Sequence, residues 1–355
     1  MTETSPGARP IRVLVADDSP TVRQLLAAII AGEPGLQVVG EAANGVQAVE
    51  RTRALRPDVV TMDIHMPVMD GFEATRQIMN EAPTPIVVVS GTVDANEVQV
   101  SLDAIRAGAL TVLGKPASPV APDFEERARA LIRTVRLMAQ VKVVRRWPDR
   151  AGGARGGGLA RDHPMPVGRR VQAIAVATST GGPAALNRIL ADLPAPFPAP
   201  ILVVQHIARG FVDGLARWLA TSTRLRVKVA EDGESPEPGT VYLAPDGRHL
   251  GLSEGRVALS EGAAIDGFRP SGTWLFRSVA ASHGANAAGV ILTGMGYDGV
   301  EGLADLRRRG GYVIAQDERT SVVFGMPGAA VGAGVVDDTL PLGSIAPRLI
   351  ELVQG

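Results

Sequence analysis

The sequence predicts two α/β domains in series, each built on a parallel β-sheet covered by helices. The chain has 355 residues, which is more than one hydrophobic core usually accommodates. Short β-branched runs alternate with longer amphipathic runs, a pattern typical of parallel sheets. A stretch rich in Gly, Pro and Arg interrupts this alternation over residues 147–170. We therefore expect domains at residues 11–129 and 171–355, joined over 130–170 by a helix extension and a flexible linker.

The first domain contains five strand signals and the helical runs that separate them. The predicted strands are IRVLVA, LQVVGEA, DVVTM, PIVVVS and LTVLG. The last unit ends near Pro116, and residues 124–144 then place Phe124, Leu131 and Val135 on one face of a closing helix. Five strand–helix units in this order predict a flavodoxin-like (βα)5 domain.

The second domain begins at Val171 and shows the same alternation. Its apolar runs QAIAVAT, APILVVQHI, AGVILTG and GYVIAQD are separated by helical runs such as AALNRILADL and GVEGLADLRRRG. The strand signals between Val227 and Ser260 follow one another without helices, which favours hairpins. We expect a doubly wound, mainly parallel, Rossmann-like sheet with an added hairpin region.

Charge and composition exclude several classes of protein. Lys plus Arg number 36 and Asp plus Glu number 37, so no overall field attracts the chain to nucleic acid or anionic lipid. The absence of cysteine excludes disulfides and thiolate nucleophiles. The opening residues MTETSPGARP lack a secretion signal, and no apolar run approaches the roughly 18 residues of a membrane span. We expect a cytoplasmic protein that binds no nucleic acid.

Polar side chains follow four strands of the first domain. Asp17 and Asp18 follow the first strand, Asp63 the third and Lys115 the fifth, while Ser90 ends the fourth. Because the carboxyl ends of parallel strands share one edge, we expect these groups in a single crevice. Clustered carboxylates repel one another, and Mg²⁺ with oxygen ligands relieves that repulsion. A carboxylate beside Mg²⁺ and an ammonium is also equipped to attack phosphorus.

This set of motifs resembles a two-component receiver domain over residues 11–129. The resemblance is carried by DD, DIHMP, the serine hydroxyl and GKP, that is, by Asp17, Asp18, Asp63, Ser90 and Lys115. It implies that a histidine kinase phosphorylates Asp63, that the three aspartates hold Mg²⁺, and that Ser90 and Lys115 form the switch. The carbonyl of Ile64 or His65 is then expected to complete the metal shell. Val112 stands where many receivers carry a switching aromatic ring.

Three polar groups follow apolar strands of the second domain. Ser179 lies in TSTGGP after AIAVA, His206 follows ILVVQ, and Asp298 lies in TGMGYDG after GVIL. A serine becomes a good nucleophile when an imidazole takes its proton and a carboxylate orients that imidazole. The order Ser, His, Asp along the chain differs from that of ordinary α/β hydrolases. Of the other histidines, His249 is expected in a hairpin turn and His283 at a helix end.

Residues 171–353 resemble the catalytic domain of the chemotaxis protein-glutamate methylesterases. The resemblance is carried by TSTGGP, QHI, ILTGMGYDG and VIAQDERTSVVFGMPGAA. It implies that Ser179 is the nucleophile, His206 the general base and Asp298 the orienting carboxylate, with Thr180 and the amide of Met295 stabilising the oxyanion. It further implies action on methylated chemoreceptors, deamidation of glutamine, control by the receiver and no cofactor at the esterase site.

The sequence leaves two other functions open. Thr178 and Tyr297 depart from the family pattern beside the triad. If Thr178 and Tyr297 abolished the catalytic activity of the domain, the protein would be a receiver-controlled, receptor-binding adaptor. The segment STGGP would alternatively be the phosphate loop of a nucleotide-binding domain, although no GxGxxG with a following acidic residue appears after the first strand. A transcription factor is disfavoured because the second domain alternates strands and helices.

Overall fold

The structure, a computed structural model, describes residues 9–90, 102–105, 107–116, 118–121, 124–141 and 170–355. Backbone contacts divide the chain into two compact units, residues 1–154 and 155–355. The predicted linker over residues 147–170 lies outside the described residues apart from Arg170. Among the described helices, none is both long enough and apolar enough to cross a membrane.

The first unit is a five-stranded parallel sheet flanked by helices. Its strands are β1 (Ile11–Ala16), β2 (Leu36–Ala42), β3 (Val59–Met62), β4 (Ile86–Ser90) and β5 (Thr111–Gly114). Its described helices include α1 (Pro20–Ala31), α2 (Gly45–Leu55), α3 (Gly71–Glu81) and α4 (Phe124–Met138). The strand order is β2-β1-β3-β4-β5 with parallel pairings. This order confirms the predicted doubly wound, flavodoxin-like architecture.

Local side-chain chemistry starts the helices that follow β1, β2 and β3. Helices α1, α2 and α3 are capped by Ser19, Asn44 and Asp70, whose side chains accept hydrogen bonds from amides three residues further on. Strands β3 and β4 are buried throughout. The polar groups of this unit therefore lie in the loops that leave the carboxyl ends of the strands.

The closing helix α4 packs on the sheet of the first unit. Its residues Leu131, Val135 and Met138 are buried and lie at the helical spacing that the sequence predicts. The helix begins at Phe124 and ends at Met138, so the domain boundary predicted at residue 129 falls inside it.

The second unit is a seven-stranded parallel sheet with helices on its faces. Its strands are β6 (Ala173–Thr178), β7 (Ile201–Gln205), β8 (Arg226–Val229), β9 (Thr240–Leu243), β12 (Ala287–Ile291), β13 (Tyr312–Gln316) and β14 (Asp338–Leu340). Its described helices include α5 (Gly182–Asp192), α6 (Val212–Ala220), α7 (Gly272–His283), α8 (Val300–Arg308), α9 (Met326–Gly332) and α10 (Leu342–Gln354). The strand order β14-β13-β12-β6-β7-β9-β8 places β6 at the centre, beside β7 and β12.

The region predicted to contain hairpins has one hairpin and one parallel pair. Strands β10 (His249–Ser253) and β11 (Arg256–Ser260) pair antiparallel in a two-stranded sheet of their own. Strands β8 and β9 instead join the main sheet in parallel, although no helix lies between them. The short connection between β8 and β9 carries no helical period, so the sequence pattern does not distinguish this crossover from a hairpin.

Candidate functional site

The loops after β1, β3 and β5 bring the predicted receiver residues together. One carboxylate oxygen from each of Asp17, Asp18 and Asp63 lies within 4.8 Å of the others. Lys115 Nζ lies 2.9 Å from Asp17 Oδ2 and 2.9 Å from Asp63 Oδ1. Asp17 and Asp63 are buried, whereas Asp18 is exposed. The result is a cluster of three carboxylates, two of which contact one ammonium, with Asp18 on its exposed side.

Burial and charge act in opposite directions on Asp63. Burial raises the pKa of Asp63, and the ammonium of Lys115 opposes that rise. The Ile64 amide donates a hydrogen bond to Asp63 Oδ1 at 2.8 Å. The Ile64 carbonyl accepts one from the Gly71 amide at 2.8 Å, which uses one of the two lone pairs of that oxygen. The three carboxylates are hard oxygen donors, and their cluster fits Mg²⁺.

Ser90 and Val112 lie on the two strands next to the acidic cluster. Ser90 is buried at the end of β4, and its carbonyl accepts a hydrogen bond from the Lys115 amide at 2.8 Å. Val112 is buried in β5 and pairs in register with Val88. The position where many receivers carry a switching aromatic ring is therefore occupied here by an aliphatic core residue.

Ser179 lies in the turn between β6 and α5. Its amide donates to the Thr293 carbonyl at 3.1 Å, and its carbonyl accepts from the Gly182 amide at 2.9 Å. Gly181 has φ +78°, a left-handed conformation that favours glycine. A Cβ on Gly182 would lie 2.2 Å from Gln205 Oε1. The two glycines of TSTGGP thus allow a sharp turn that holds Ser179 at the edge of the sheet.

Backbone contacts tie the Ser179 turn to His206. The His206 amide donates to the Thr178 carbonyl at 2.9 Å, which extends the pairing of β6 and β7. Gln205 Nε2 donates to the carbonyls of both Ser179 and His206, each at 2.8 Å. The Thr178 hydroxyl donates to the Thr293 carbonyl at 2.9 Å. Thr178 therefore links β6 to the loop after β12, and Gln205 fixes the spacing of the two strand ends.

His206 and Asp298 form a close pair. His206 Nε2 lies 3.0 Å from Asp298 Oδ2, although the ring is not aligned for a straight hydrogen bond. His206 Nδ1 is buried and has no hydrogen-bond partner among the described residues. Asp298 is fully buried, whereas the His206 side chain keeps 12% of its surface exposed. One ring nitrogen thus faces the carboxylate and the other is available to a further group.

The carboxylate of Asp298 is held at the amino end of α7. The Ser271 hydroxyl donates to Asp298 Oδ1 at 2.7 Å, and the Thr273 amide donates to the same oxygen at 3.1 Å. The Gly272 amide donates to Asp298 Oδ2 at 2.6 Å. A helix amino terminus stabilises a carboxylate through its free amides and its dipole. Ser271, Gly272 and Thr273 therefore fix the carboxylate that faces His206.

The acid stability of the second unit is expected to depend on Asp298. Burial works to raise the pKa of Asp298, but His206, Ser271 and Gly272 outweigh it and lower the pKa from 3.8 to about 2. Because the pKa of Asp298 is lower in the folded state, its ionised carboxylate adds about 2 kcal/mol to the free energy of unfolding. This contribution is present above pH 4 and is lost as the pH falls through about 2.

Urea unfolding at pH 5 and at pH 2.5 measures this contribution. The loss between the two pH values should be about 1.5 kcal/mol smaller in Asp298→Asn than in the wild type, since part of the contribution persists at pH 2.5. An equal loss in both proteins would contradict the assignment.

The predicted oxyanion groups lie on two loops around Ser179. Within the described ranges, the backbone amides of Thr180 and Met295 form no hydrogen bond. The Thr293 hydroxyl donates to the Thr180 carbonyl at 2.9 Å, which holds the two loops together. A Cβ on Gly294 would lie 2.7 Å from Ser179 Cβ and 2.5 Å from the sulfur of Met326. Only glycine allows the loop after β12 to approach Ser179 this closely.

Gly294→Ala is expected to lower any Ser179-dependent activity by about 100-fold, because the added methyl group displaces either Ser179 or the loop that carries Met295. The matched control is Gly332→Ala in α9, where an added Cβ meets nothing within 4 Å. Hydrolysis rates of the two variants, with thermal melts to confirm folding, test this expectation. Equal rates would show that the close approach at Gly294 has no bearing on the site.

Several residues of the site escape the sequence analysis. Gln205 directly precedes His206 in the motif QHI, at the end of a strand. That position is the sequence signal that could have indicated its hydrogen bonds to the carbonyls of Ser179 and His206. Ser271 precedes a helical run, which indicates a cap but not that the cap binds Asp298. Phe268 stacks on His206 with ring centroids 4.3 Å apart, and no sequence pattern indicates that contact.

The other two described histidines of the second unit, His249 and His283, lie at the ends of secondary-structure elements. His249 was expected in a turn but begins β10 and is fully buried. Its Nδ1 accepts a hydrogen bond from the Ser271 amide at 3.2 Å, and its ring stacks on Trp274. His249 thereby supports the cap that holds Asp298. His283 is the last residue of α7, as expected.

Comparison with known proteins identifies the family. A family model described as CheB methylesterase matches residues 174–349, and one described as response regulator receiver domain matches residues 13–121. A protein-glutamate methylesterase/protein-glutamine glutaminase of Myxococcus xanthus is 56% identical over 354 residues, 98% of each chain. The chain belongs to the protein-glutamate methylesterase family. An Anaeromyxobacter dehalogenans relative with the same description is 55% identical over 96% of this chain and 98% of its own.

The family assignment extends to the fold of the second unit. The crystal structure of the Thermotoga maritima CheB methylesterase catalytic domain is 43% identical, with a TM-score of 0.50. It covers 52% of this chain and 99% of that chain. The protein-glutamate methylesterase family thus combines a receiver with an α/β catalytic domain, as the sequence motifs indicate.

Proposed function

We propose that the chain is a phosphorylation-controlled serine esterase that hydrolyses γ-methyl esters of glutamate on the cytoplasmic helices of chemoreceptors. The observation that carries this proposal is the meeting of the Ser179 turn with the His206–Asp298 pair at one edge of the sheet. The relatives from Myxococcus xanthus and Anaeromyxobacter dehalogenans are named for methylesterase and glutaminase activities. Action on cytoplasmic helices implies that the protein works in the cytoplasm.

In the proposed reaction Ser179 Oγ attacks the ester carbonyl while His206 takes the hydroxyl proton. The buried Nδ1 of His206 is the nitrogen available for that proton, since Nε2 faces Asp298. Asp298 stabilises the imidazolium, which then protonates the departing methoxide, so methanol leaves and an acyl enzyme forms. Water, deprotonated by His206, hydrolyses the acyl enzyme to glutamate. A glutamine side chain reacts in the same way and releases ammonia.

The oxyanion of the tetrahedral intermediate needs preorganised donors near Ser179. Thr180 and the amide of Met295 are our candidates, because both lie on the loops that Thr293 holds together. Backbone donors of this type cost no reorganisation during the reaction and contribute several kcal/mol to transition-state stabilisation.

Phosphorylation of Asp63 is the proposed control step. Asp17, Asp18 and Asp63 would hold Mg²⁺, which when bound neutralises charge on phosphoryl oxygens. Lys115 already contacts Asp17 and Asp63 and would bind a phosphoryl oxygen at the same place. Ser90, at the end of the neighbouring strand, is the proposed hydroxyl of the switch. A histidine kinase of the chemotaxis type would be the phosphodonor.

Methanol release from methylated receptor membranes tests both parts of the proposal. The wild type is measured with and without a small-molecule phosphodonor plus Mg²⁺, beside Asp63→Asn, which cannot be phosphorylated. Release should increase with the phosphodonor in the wild type and not in Asp63→Asn. Release that is equal in all samples would reject control by the receiver, and no release at all would reject the esterase.

Neither of the two alternative functions is favoured. An inactive receptor-binding adaptor requires that Thr178 or Tyr297 disable the site. Thr178 instead forms a regular hydrogen bond with the Thr293 carbonyl, and the Tyr297 side chain is largely exposed. A nucleotide-binding domain is not favoured either, because full-length relatives at 55–56% identity are named as methylesterases.

A further inference from the structure

One segment, residues 265–273, contacts both members of the His206–Asp298 pair. The ring of Phe268 stacks on the imidazole of His206, with centroids 4.3 Å apart and planes 9° from parallel. Three residues further on, Ser271 begins the cap that donates hydrogen bonds to Asp298. The mechanism described above uses Asp298 and its cap, but it gives no role to the aromatic ring on His206.

The backbone around Phe268 is fixed by its own hydrogen bonds. The Phe268 amide donates to the Ile265 carbonyl at 2.8 Å, and the Ile265 amide donates to the Phe268 carbonyl at 3.1 Å. Arg269 Nη1 donates to the carbonyls of Glu261 at 2.8 Å and Gly262 at 3.1 Å. These hydrogen bonds hold the loop to the residues that precede Phe268. After Phe268 the loop continues into the cap of α7. This arrangement presents the face of the Phe268 ring to His206.

We propose that Phe268 is a positioning residue of the esterase, which holds the plane of the His206 imidazole and stabilises the imidazolium formed when Ser179 loses its proton. The inference rests on the proposed function and deepens it. The face of an aromatic ring carries negative charge density and attracts a cation within about 6 Å of its centroid. The attraction exists only while His206 is protonated, so it acts on the transition state and the intermediate rather than on the resting enzyme.

The other charged groups near His206 do not replace this contribution. Asp298 faces the edge of the ring at Nε2. Arg209, Asp246 and Arg269 line a cavity of about 150 Å³ that adjoins His206 and Phe268. Burial raises the pKa of Asp246, which also accepts a hydrogen bond from the Gly210 amide. Arg209 and Arg269 are themselves positively charged, so neither of them stabilises a positive imidazole.

The test compares Phe268→Leu, which keeps an apolar side chain but has no aromatic face, with Phe268→Tyr, which keeps the ring. Phe268→Leu should lower kcat about 5-fold with little change in KM, because the lost attraction acts on the charged transition state. The acidic limb of its pH–rate profile should move about half a pH unit lower, because neutral His206 persists to lower pH. Phe268→Tyr should keep the wild-type kcat and the wild-type pH–rate profile.

A second measurement keeps the test independent of turnover. The chain has 5 histidines, so the imidazole resonances of the full-length protein are few, and those of His206 are assigned from His206→Gln. In the wild type the resonances of His206 should show an upfield ring-current shift. In Phe268→Leu that shift should disappear, and the midpoint of the His206 titration should move to lower pH. Thermal melts of both variants confirm folding.

The outcomes separate this inference from the proposed function. A wild type without ester hydrolysis rejects the proposed esterase, but the ring-current shift and the titration still report on the stack. A folded Phe268→Leu with unchanged kcat, an unchanged pH profile and an unchanged His206 titration would overturn the positioning role. A loss of kcat that Phe268→Tyr does not restore, without movement of the titration, would also overturn it, since that pattern reflects packing alone.

Discussion

Ser179→Ala is expected to reduce methanol release from methylated receptor membranes by about 10⁴-fold or more, down to the residual rate of a site without a nucleophile. The expected effect is this large because, in the proposed mechanism, the acyl enzyme cannot form without the hydroxyl. The Ser179 turn itself should persist, since it is held by backbone bonds and by two glycines rather than by the hydroxyl. The variant should therefore fold normally and still bind methylated receptor.

The matched control for this variant is Ser253→Ala. Ser253 is exposed at the end of β10, away from the strand ends that carry the site. Its rate should equal that of the wild type. A Ser179→Ala protein that retains more than about one hundredth of the wild-type rate would place the nucleophile elsewhere.

Asp298→Asn is expected to lower kcat by about 10⁴-fold, with a small effect on receptor binding. Nε2 of His206 lies 3.0 Å from Asp298 Oδ2, and in the proposed mechanism this carboxylate stabilises the imidazolium and selects the tautomer. An asparagine amide also meets donors on every side, because Ser271, Gly272 and Thr273 all donate to the native carboxylate. The NH₂ group must then face another N–H or the imidazole, so His206 is held in the wrong tautomer.

The control for charge is Asp305→Asn. Asp305 pairs with Arg277 at the protein surface, where ion pairs contribute little to stability. This variant should keep the wild-type rate and stability. Methanol release and thermal melts of the two variants together separate lost chemistry from lost folding. An Asp298→Asn protein within about 10-fold of the wild-type kcat would exclude Asp298 as the orienting group.

The receiver shows how far a local pattern determines a site. Asp17, Asp63 and Lys115 each directly follow an apolar strand, and parallel strands end at one edge of a sheet. The strand order therefore places all three at one edge, and the long side chain of Lys115 reaches past β4 to contact Asp17 and Asp63. The order itself is doubly wound, as five alternating strand and helix signals predict. The same reasoning brings Ser179, His206 and Asp298 to one edge of the second sheet.

Two other features of the second unit, the pairing of β8 with β9 and the position of His249, were not predicted by local sequence patterns. The strands β8 and β9 lack a helix between them, and short connections of that kind look alike whether the strands pair parallel or antiparallel. The buried position of His249 in β10 also differed from the turn that was expected. In both cases the deciding contacts come from strands or loops elsewhere in the chain, which a local period does not encode.

The sequence by itself determined the two-domain α/β architecture, the strand ends that carry the polar groups, and the motifs by which the chain resembles its family. Only the tertiary structure decided what surrounds those groups. Ser271 lies 27 residues from Asp298 along the chain, yet it donates to the carboxylate. Phe268 stacks on His206 from a loop without periodicity. The physical reason is that periodicity records which face of an element is buried, whereas the partners of a side chain depend on how distant segments pack.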